Sequence, residues 1–296
     1  MSYNGGVILL QHNEFRDRGM FFKKLKAWYK SKRIRLSPYV FNEAYSKKQV
    51  IESHANTVET LGLGSSFCAR NFNTDMIPNA INFGITDQDL YTTAWLCQKY
   101  LPTLSNLKKV IFFYGIFSPG HELAKTRNEK TVAIHHYVFG VPYNVDYLPK
   151  YKKAYLHRLK KNKKASLSVS GYIPTLKEVD PNPIAPEERV KGHLKNNARG
   201  TNQTRHLENI YKLCKQGGVP LYIVITPVRH DYIKALGDKE DSDLFKELFD
   251  FTKKNHIPVL NKLRDSSFQE DEFYDSDHLN RKGAIHLTQD IIAFIK

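Results

Sequence analysis

Short, largely apolar runs that stop at glycine or at Thr-Pro constrain this chain most. Val58–Leu63 runs into Gly64-Ser65-Ser66, Val110–Tyr114 ends at Gly115, and Leu221–Ile225 ends at Thr226-Pro227. Strands that are apolar along their length must be covered on both faces, as in a parallel sheet. Two shorter runs, Ala80–Phe83 before Gly84 and His256–Leu260, read the same way. Helical patterns lie between them. Asp87–Tyr100 starts on Asp87 as the expected cap and carries Leu90, Ala94, Leu96, Cys97 and Tyr100 as its apolar positions. Further helices are expected at about 202–216 and 240–255, and Lys282–Ile295 closes the chain. This alternation predicts an α/β fold with a mostly parallel five-stranded sheet.

The 296 residues suffice for a substantial core. Residues 1–57 read as a basic N-terminal extension, and 58–296 as the main domain with an inserted lobe at about 116–201, too long for an ordinary connection. In the extension, Phe21, Leu25, Trp28 and Tyr29 fall on one helical face, while Lys23, Lys24, Lys26, Lys30, Lys32 and Arg33 crowd the rest. That pattern suits an interfacial helix on an anionic membrane, or a helix packed on the core with a solvated basic face. The lobe carries Lys150, Lys152, Lys153, Arg158, Lys160, Lys161, Lys163 and Lys164, interleaved with tyrosines 137, 143, 147, 151 and 155. Those tyrosines either stack on sugars or bases, or pack inward beneath a solvated helix. Asp180–Pro186 reads as an extended loop.

A net charge of +15 asks for an anionic partner. Nucleic acid ranks last, because neither a phosphate-binding glycine loop nor a nucleic-acid motif is present. No run approaches the roughly 18 apolar residues of a membrane span, and the first residues lack the pattern of a secretory signal. Cys68, Cys97 and Cys214 are an odd, sparse set that suits a reducing compartment. The expected location is cytoplasmic, with a peripheral place at the inner membrane as an option.

Chemistry concentrates in two places. Ser66 sits at the tip of a strand-to-helix turn, and Asp275-Ser-Asp-His278 lies just before the terminal helix. An Asp three residues before a His can hold one imidazole nitrogen while the other faces a nucleophile. Asp277 competes with Asp275 for that place. Loops at the carboxyl ends of the first and last strands of such a sheet can meet in one crevice. His121, His135, His136 and His230 lack metal-ligand spacing, so no metal is expected. Cys68 reads as a small packed residue. Arg70 and Asn71 face the cleft or cap a helix. Arg229 meets an anionic substrate or a surface carboxylate.

With these blocks in this order, the chain resembles the SGNH (GDSL-like) hydrolase and acyltransferase superfamily, and in particular its bacterial branch that modifies polysaccharides and cell-envelope polymers. The resemblance covers roughly residues 58–115 and 202–296. It rests on Gly64-Ser65-Ser66, with Ser65 where many members have Asp; on Asn82-Phe-Gly84; and on Asp275-Ser-Asp-His278 followed by Leu279-Asn280 and Gly283. It implies a flavodoxin-like three-layer α/β/α fold, Ser66 as nucleophile, His278 as base, Asp275 as its partner, and the amides of Ser66 and Gly84 as an oxyanion hole. Asn82 and Tyr114 are further candidates for contact with substrate.

One block departs from the pattern. Phe117 stands where the family has an oxyanion Asn, a loss worth about 10²–10³ in rate unless Tyr114, Ser118 or His121 replaces it. The resemblance implies an O-acyltransferase, acetyl-CoA as donor with no tightly bound cofactor, and a bacterial capsular or other surface polysaccharide as anionic acceptor. A carbohydrate esterase of the same fold, and a non-catalytic protein that docks a polyanion, a membrane or a capsule-assembly complex, are the alternatives.

Overall fold

The computed structural model describes residues 34–161, 168–175, 177–197 and 203–296. Five strands, β1 (Thr60–Gly64), β2 (Ala80–Asn82), β3 (Lys109–Phe113), β4 (Leu221–Ile225) and β5 (Val259–Asn261), form one parallel sheet in the order β2-β1-β3-β4-β5. That is the flavodoxin-like order, with its reversal between β1 and β3, where the crevice at the carboxyl ends lies.

Both faces of the central strands are apolar, as the sequence predicts. Val110 and Phe112 of β3 enter one core with Leu61, Leu63, Ile223 and Ile225; Ile111 and Phe113 enter the other with Val224. The smaller core is closed by α2 (Ser66–Asn71), through Phe67 and Cys68, and by the terminal helix α11 (Arg281–Phe294), through Leu287 and Ile291. The larger core is covered by α1 (Pro38–Ser53), α3 (Leu90–Tyr100), α4 (Glu129–Phe139), α5 (Leu148–Lys160) and α7 (Thr204–Gln216). The same core also takes in α6 (Pro186–Asn197), α8 (His230–Leu236), α9 (Asp241–Leu244) and α10 (Lys246–Asn255), through Val190, Tyr232, Leu236, Leu244 and Leu248.

Details differ from the sequence expectation at three places. Asp89, not Asp87, caps α3, its carboxylate accepting from the Thr92 amide at 2.8 Å. Asp87 has a φ of +62°, so it cannot start the helix and instead holds Asn128. His256 takes the left-handed conformation that ends α10, which delays β5 to Val259. Residues 38–53, inside the stretch read as an extension, place Phe41, Ala44 and Ile51 in the same core as the sheet. The basic-aromatic face of residues 21–33 lies outside the described residues.

In the lobe the tyrosines pack inward. Tyr143 and Tyr151 are buried, and Tyr137 stacks on Tyr155 at 5.1 Å. Lys150 pairs with Glu129, and Arg158 donates to the Leu36 carbonyl. Lys152, Lys153, Lys160 and Lys161 remain exposed, with Leu156 and Leu159 between them. Among the described residues no helix is long and apolar enough to cross a membrane.

Candidate active site

The turn from β1 into α2 is built to expose one side chain. Gly64 has φ +140°, which L side chains rarely adopt, and a Cβ there would lie 2.9 Å from the Phe113 carbonyl. Ser65 caps α2, accepting from the Phe67 amide, and Ser66 becomes the first helical residue, half-buried. Its amide is one of the helix-start donors that have no intrahelical acceptor.

The loop before α11 is fixed by its own hydrogen bonds. Phe273 bridges Leu279, the Tyr274 amide donates to the His278 carbonyl at 2.9 Å, and Asn280 caps α11. Asp275 Oδ1 accepts from the amides of Asp277 (3.0 Å) and His278 (2.7 Å), so its carboxylate is held inside the turn. Asn71, buried at the end of α2, accepts from the Leu279 amide at 3.0 Å, which ties the serine helix to the histidine loop.

The two loops meet. Ser66 Oγ lies 2.9 Å from His278 Nε2, and His278 Nδ1 lies 3.0 Å from both carboxylate oxygens of Asp275. With the proton on Nδ1, the imidazole donates to Asp275 and accepts from the serine hydroxyl. A hydroxyl, an imidazole and a buried carboxylate in that order can deprotonate the hydroxyl as it attacks and hold the imidazolium that results. Burial raises the Asp275 carboxyl, but the bond and charge of His278, the Asp277 amide and Arg189 outweigh it and hold the group well below the usual carboxylate range. Asp277 is also near, its Oδ1 3.6 Å from Nδ1. It is 1% exposed and its carboxylate accepts no hydrogen bond among the described groups; burial raises it to about 6.

The expected oxyanion hole needs correction at Gly84. Its amide donates to Asn82 Oδ1 at 3.1 Å and so already has an internal partner. A Cβ on Gly84 would lie 2.5 Å from the Cys68 Cβ, so this glycine serves close packing under α2. Asn82 is not a substrate contact either. It is fully buried, donating to the carbonyls of Cys68 and Phe72 at 2.7 Å each and accepting from Lys47 Nζ at 2.9 Å.

Tyr114 is likewise sealed in the core against Phe112 and Phe245. Burial drives its hydroxyl far above its ordinary range, and it has no hydrogen-bond partner among the described residues. Ser118 Oγ accepts from the Gly115 amide at 3.0 Å, which closes that turn. His121 Nδ1 is buried with no hydrogen-bond partner among the described residues, beside a void of about 10 Å³, room for about one water. Phe117 packs its ring 5.5 Å from Phe67 and 5.0 Å from His193. Arg229 is held by Asp231, at 3.0 and 2.5 Å, so its guanidinium meets a carboxylate of the protein itself.

The remaining candidates take packing roles. Cys68 is buried and pushed up to about 12. Arg70 donates to Tyr39 and lies over the Tyr274 ring. His135 is buried and pushed down to about 3, His136 accompanies the Val141 carbonyl, and His230 is exposed at the start of α8. Asp275, Asp277 and His278 come within 4.8 Å of one another, but Arg189 already stands against both carboxylates, so a cation there would have to displace a guanidinium.

Sequence reasoning missed Arg189 and His193. They lie four apart on α6, within the lobe, and both face the histidine loop. A polar helix far from the paired blocks offers no local signal for this.

The sequence matches no protein-family model and no curated protein. Among solved structures, a provisionally assigned acylhydrolase of Bacteroides fragilis is similar with a TM-score of 0.41 and 11% identity, over 83% of this chain and 95% of that one. A Streptococcus pneumoniae protein, provisionally described as a platelet activating factor, gives 0.42 and 12%, over 93% and 99%. Likeness of this degree is silent on chemistry, which belongs to the side chains of the site.

Proposed function

We propose that this chain carries out acyl transfer through Ser66, taking an acyl group from an ester or thioester and passing it to a hydroxyl. The observation that carries this is the chain of contacts from Ser66 Oγ through His278 to the buried Asp275 carboxylate. Ser66 attacks the acyl carbon while His278 takes its proton. His278 returns that proton to the leaving group. An acceptor hydroxyl that His278 deprotonates in turn then attacks the acyl-serine, the bond to Ser66 Oγ breaks, and His278 returns the proton to Ser66.

The acceptor we favour is an anionic glycan of the bacterial surface, and the donor acetyl-CoA. The net charge of +15 and the exposed lysines of α5 support the first part, since both attract a polyanion. Water as acceptor gives the esterase alternative on the same residues. A different reading, a binding protein that has lost turnover, draws on Phe117 in place of the Asn and on the occupied Gly84 amide.

The test is purified protein with acetyl-CoA, with and without acidic oligosaccharides, and with a chromogenic acetate ester. Coenzyme release that requires the oligosaccharide supports the transferase; release or ester cleavage without it supports the esterase. Silence in every assay, with oligosaccharide binding retained, supports the binding protein. Turnover that survives both Ser66→Ala and His278→Ala overturns the proposal.

A further inference from the structure

His278 has two carboxylates to choose from. Nδ1 lies 3.0 Å from Asp275 and 3.6 Å from Asp277 Oδ1, and both groups are buried. An imidazole that can swing between two acceptors does not hold Nε2 on the serine, and two carboxylates at this separation favour keeping a proton between them. The inserted helix α6 supplies the group that breaks the tie. Arg189 Nε stands 3.0 Å from Asp277 Oδ1, the same oxygen that faces Nδ1, and its Nη2 reaches Asp275 Oδ2 at 3.5 Å. One turn later, His193 Nε2 lies 3.7 Å from the other Asp277 oxygen, while its Nδ1 is 2.7 Å from the Tyr232 hydroxyl.

Resting on the acyl-transfer reading, we infer that Arg189 is a positioning residue: it occupies Asp277 and leaves Asp275 as the sole acceptor for His278 Nδ1. The surrounding charges fit this division. From α6, His193 is pushed down to about 3 by burial and by Arg189, so it brings no charge at neutral pH. From α8, Tyr232 is held neutral by burial, far above its ordinary range. Arg229 is engaged by Asp231 and Glu270, its main-chain amide donating to the Ser276 carbonyl. On the serine side stand the Ser66 hydroxyl and the Phe67 ring. Among these described neighbours, Arg189 is the cation within ion-pair distance of Asp277.

The test is a double-mutant cycle of Arg189→Met and Asp277→Asn, read on acetate-ester or acetyl-CoA turnover across pH. Arg189→Met should lower kcat/KM roughly tenfold or more, mainly in kcat, and move its acid limb to higher pH by about one unit. The limb moves up because a carboxylate pair without its cation keeps a proton longer. Adding Asp277→Asn should restore much of that loss, since no second carboxylate is left to sort. Additive losses with an unmoved acid limb, the behaviour of a residue that only holds the fold, overturn the inference. If Arg189→Met does not fold, Arg189→Gln, which also removes the charge but keeps a polar side chain, carries the same comparison with and without Asp277→Asn. Ser66→Ala separates the two proposals: activity in that variant sinks the acyl-transfer reading, whereas an inactive Ser66→Ala beside an unaltered Arg189→Met sinks this one alone.

Discussion

The ammonium of Lys47, on α1, donates to both the carbonyl and the side-chain oxygen of Asn82, at 2.8 and 2.9 Å, directly beneath the turn that carries Ser66. Lys47 is completely buried, and burial pushes it from its ordinary 10.5 down to about 8, only partly offset by Cys68 and Glu43. Between pH 8 and 10.5 the unfolded chain therefore holds a proton that the folded chain has released, and stability rises with pH across that window. The full effect is on the order of 3 kcal/mol. Lys47→Met should abolish that rise. Denaturant midpoints at pH 8 and pH 10 for both proteins check it; parallel slopes would mean that Lys47 titrates at its ordinary value and that burial does not depress it.

Asp277 gives a pH effect of the opposite sign. Its folded-state carboxyl is raised from 3.8 to about 6, chiefly by burial. Such a group contributes stability that is complete below its unfolded value and is lost as pH rises through the folded one. The melting temperature of the wild type relative to Asp277→Asn should therefore fall between pH 4 and 6.5. A difference that stays level across that range would show that Asp277 titrates normally.

The two aspartates should also separate in catalysis. Asp275→Asn leaves His278 Nδ1 without its carboxylate and should reduce kcat by about 10³–10⁴. Asp277→Asn should cost far less, because its oxygens do not accept the imidazole proton. Steady-state rates with an acetate ester decide this, and equal losses would reassign the partner of His278.

Phe117 offers a gain-of-function prediction. With the Gly84 amide bonded to Asn82, the Ser66 amide is the remaining donor of the expected oxyanion hole. Phe117→Asn should raise kcat by about tenfold or more with little change in KM. It should also lower stability, since the ring packs on Phe67 and His193. An unchanged or lower kcat in a folded variant would mean that the oxyanion is held by other groups.

The exposed face of α5 can be tested by charge reversal. Replacing Lys152, Lys153 and Lys160 with Glu should weaken binding of an acidic oligosaccharide, and raising salt should shrink the difference. Titration calorimetry at two ionic strengths checks it; unchanged affinity would place the glycan elsewhere.

Much of this protein was decided by local pattern. The strand cores, their stops at Gly64, Gly115 and Thr226-Pro227, and the helices between them follow from side-chain period and from backbone freedom at glycine, which nearby residues settle among themselves. Ser66, His278 and Asp275 stood out for the same reason: each lies in a short block whose turn chemistry is written within a few positions. What only the tertiary structure decided is where hydrogen bonds and charges from distant segments are satisfied. Asn82 takes the Gly84 amide because Lys47 and the carbonyls of α2 fix its orientation, and no spacing along the chain encodes that. Arg189 reaches the aspartates because α6 packs against α8 and faces the histidine loop, and a buried carboxylate takes whichever cation the packing brings within 3 Å of it.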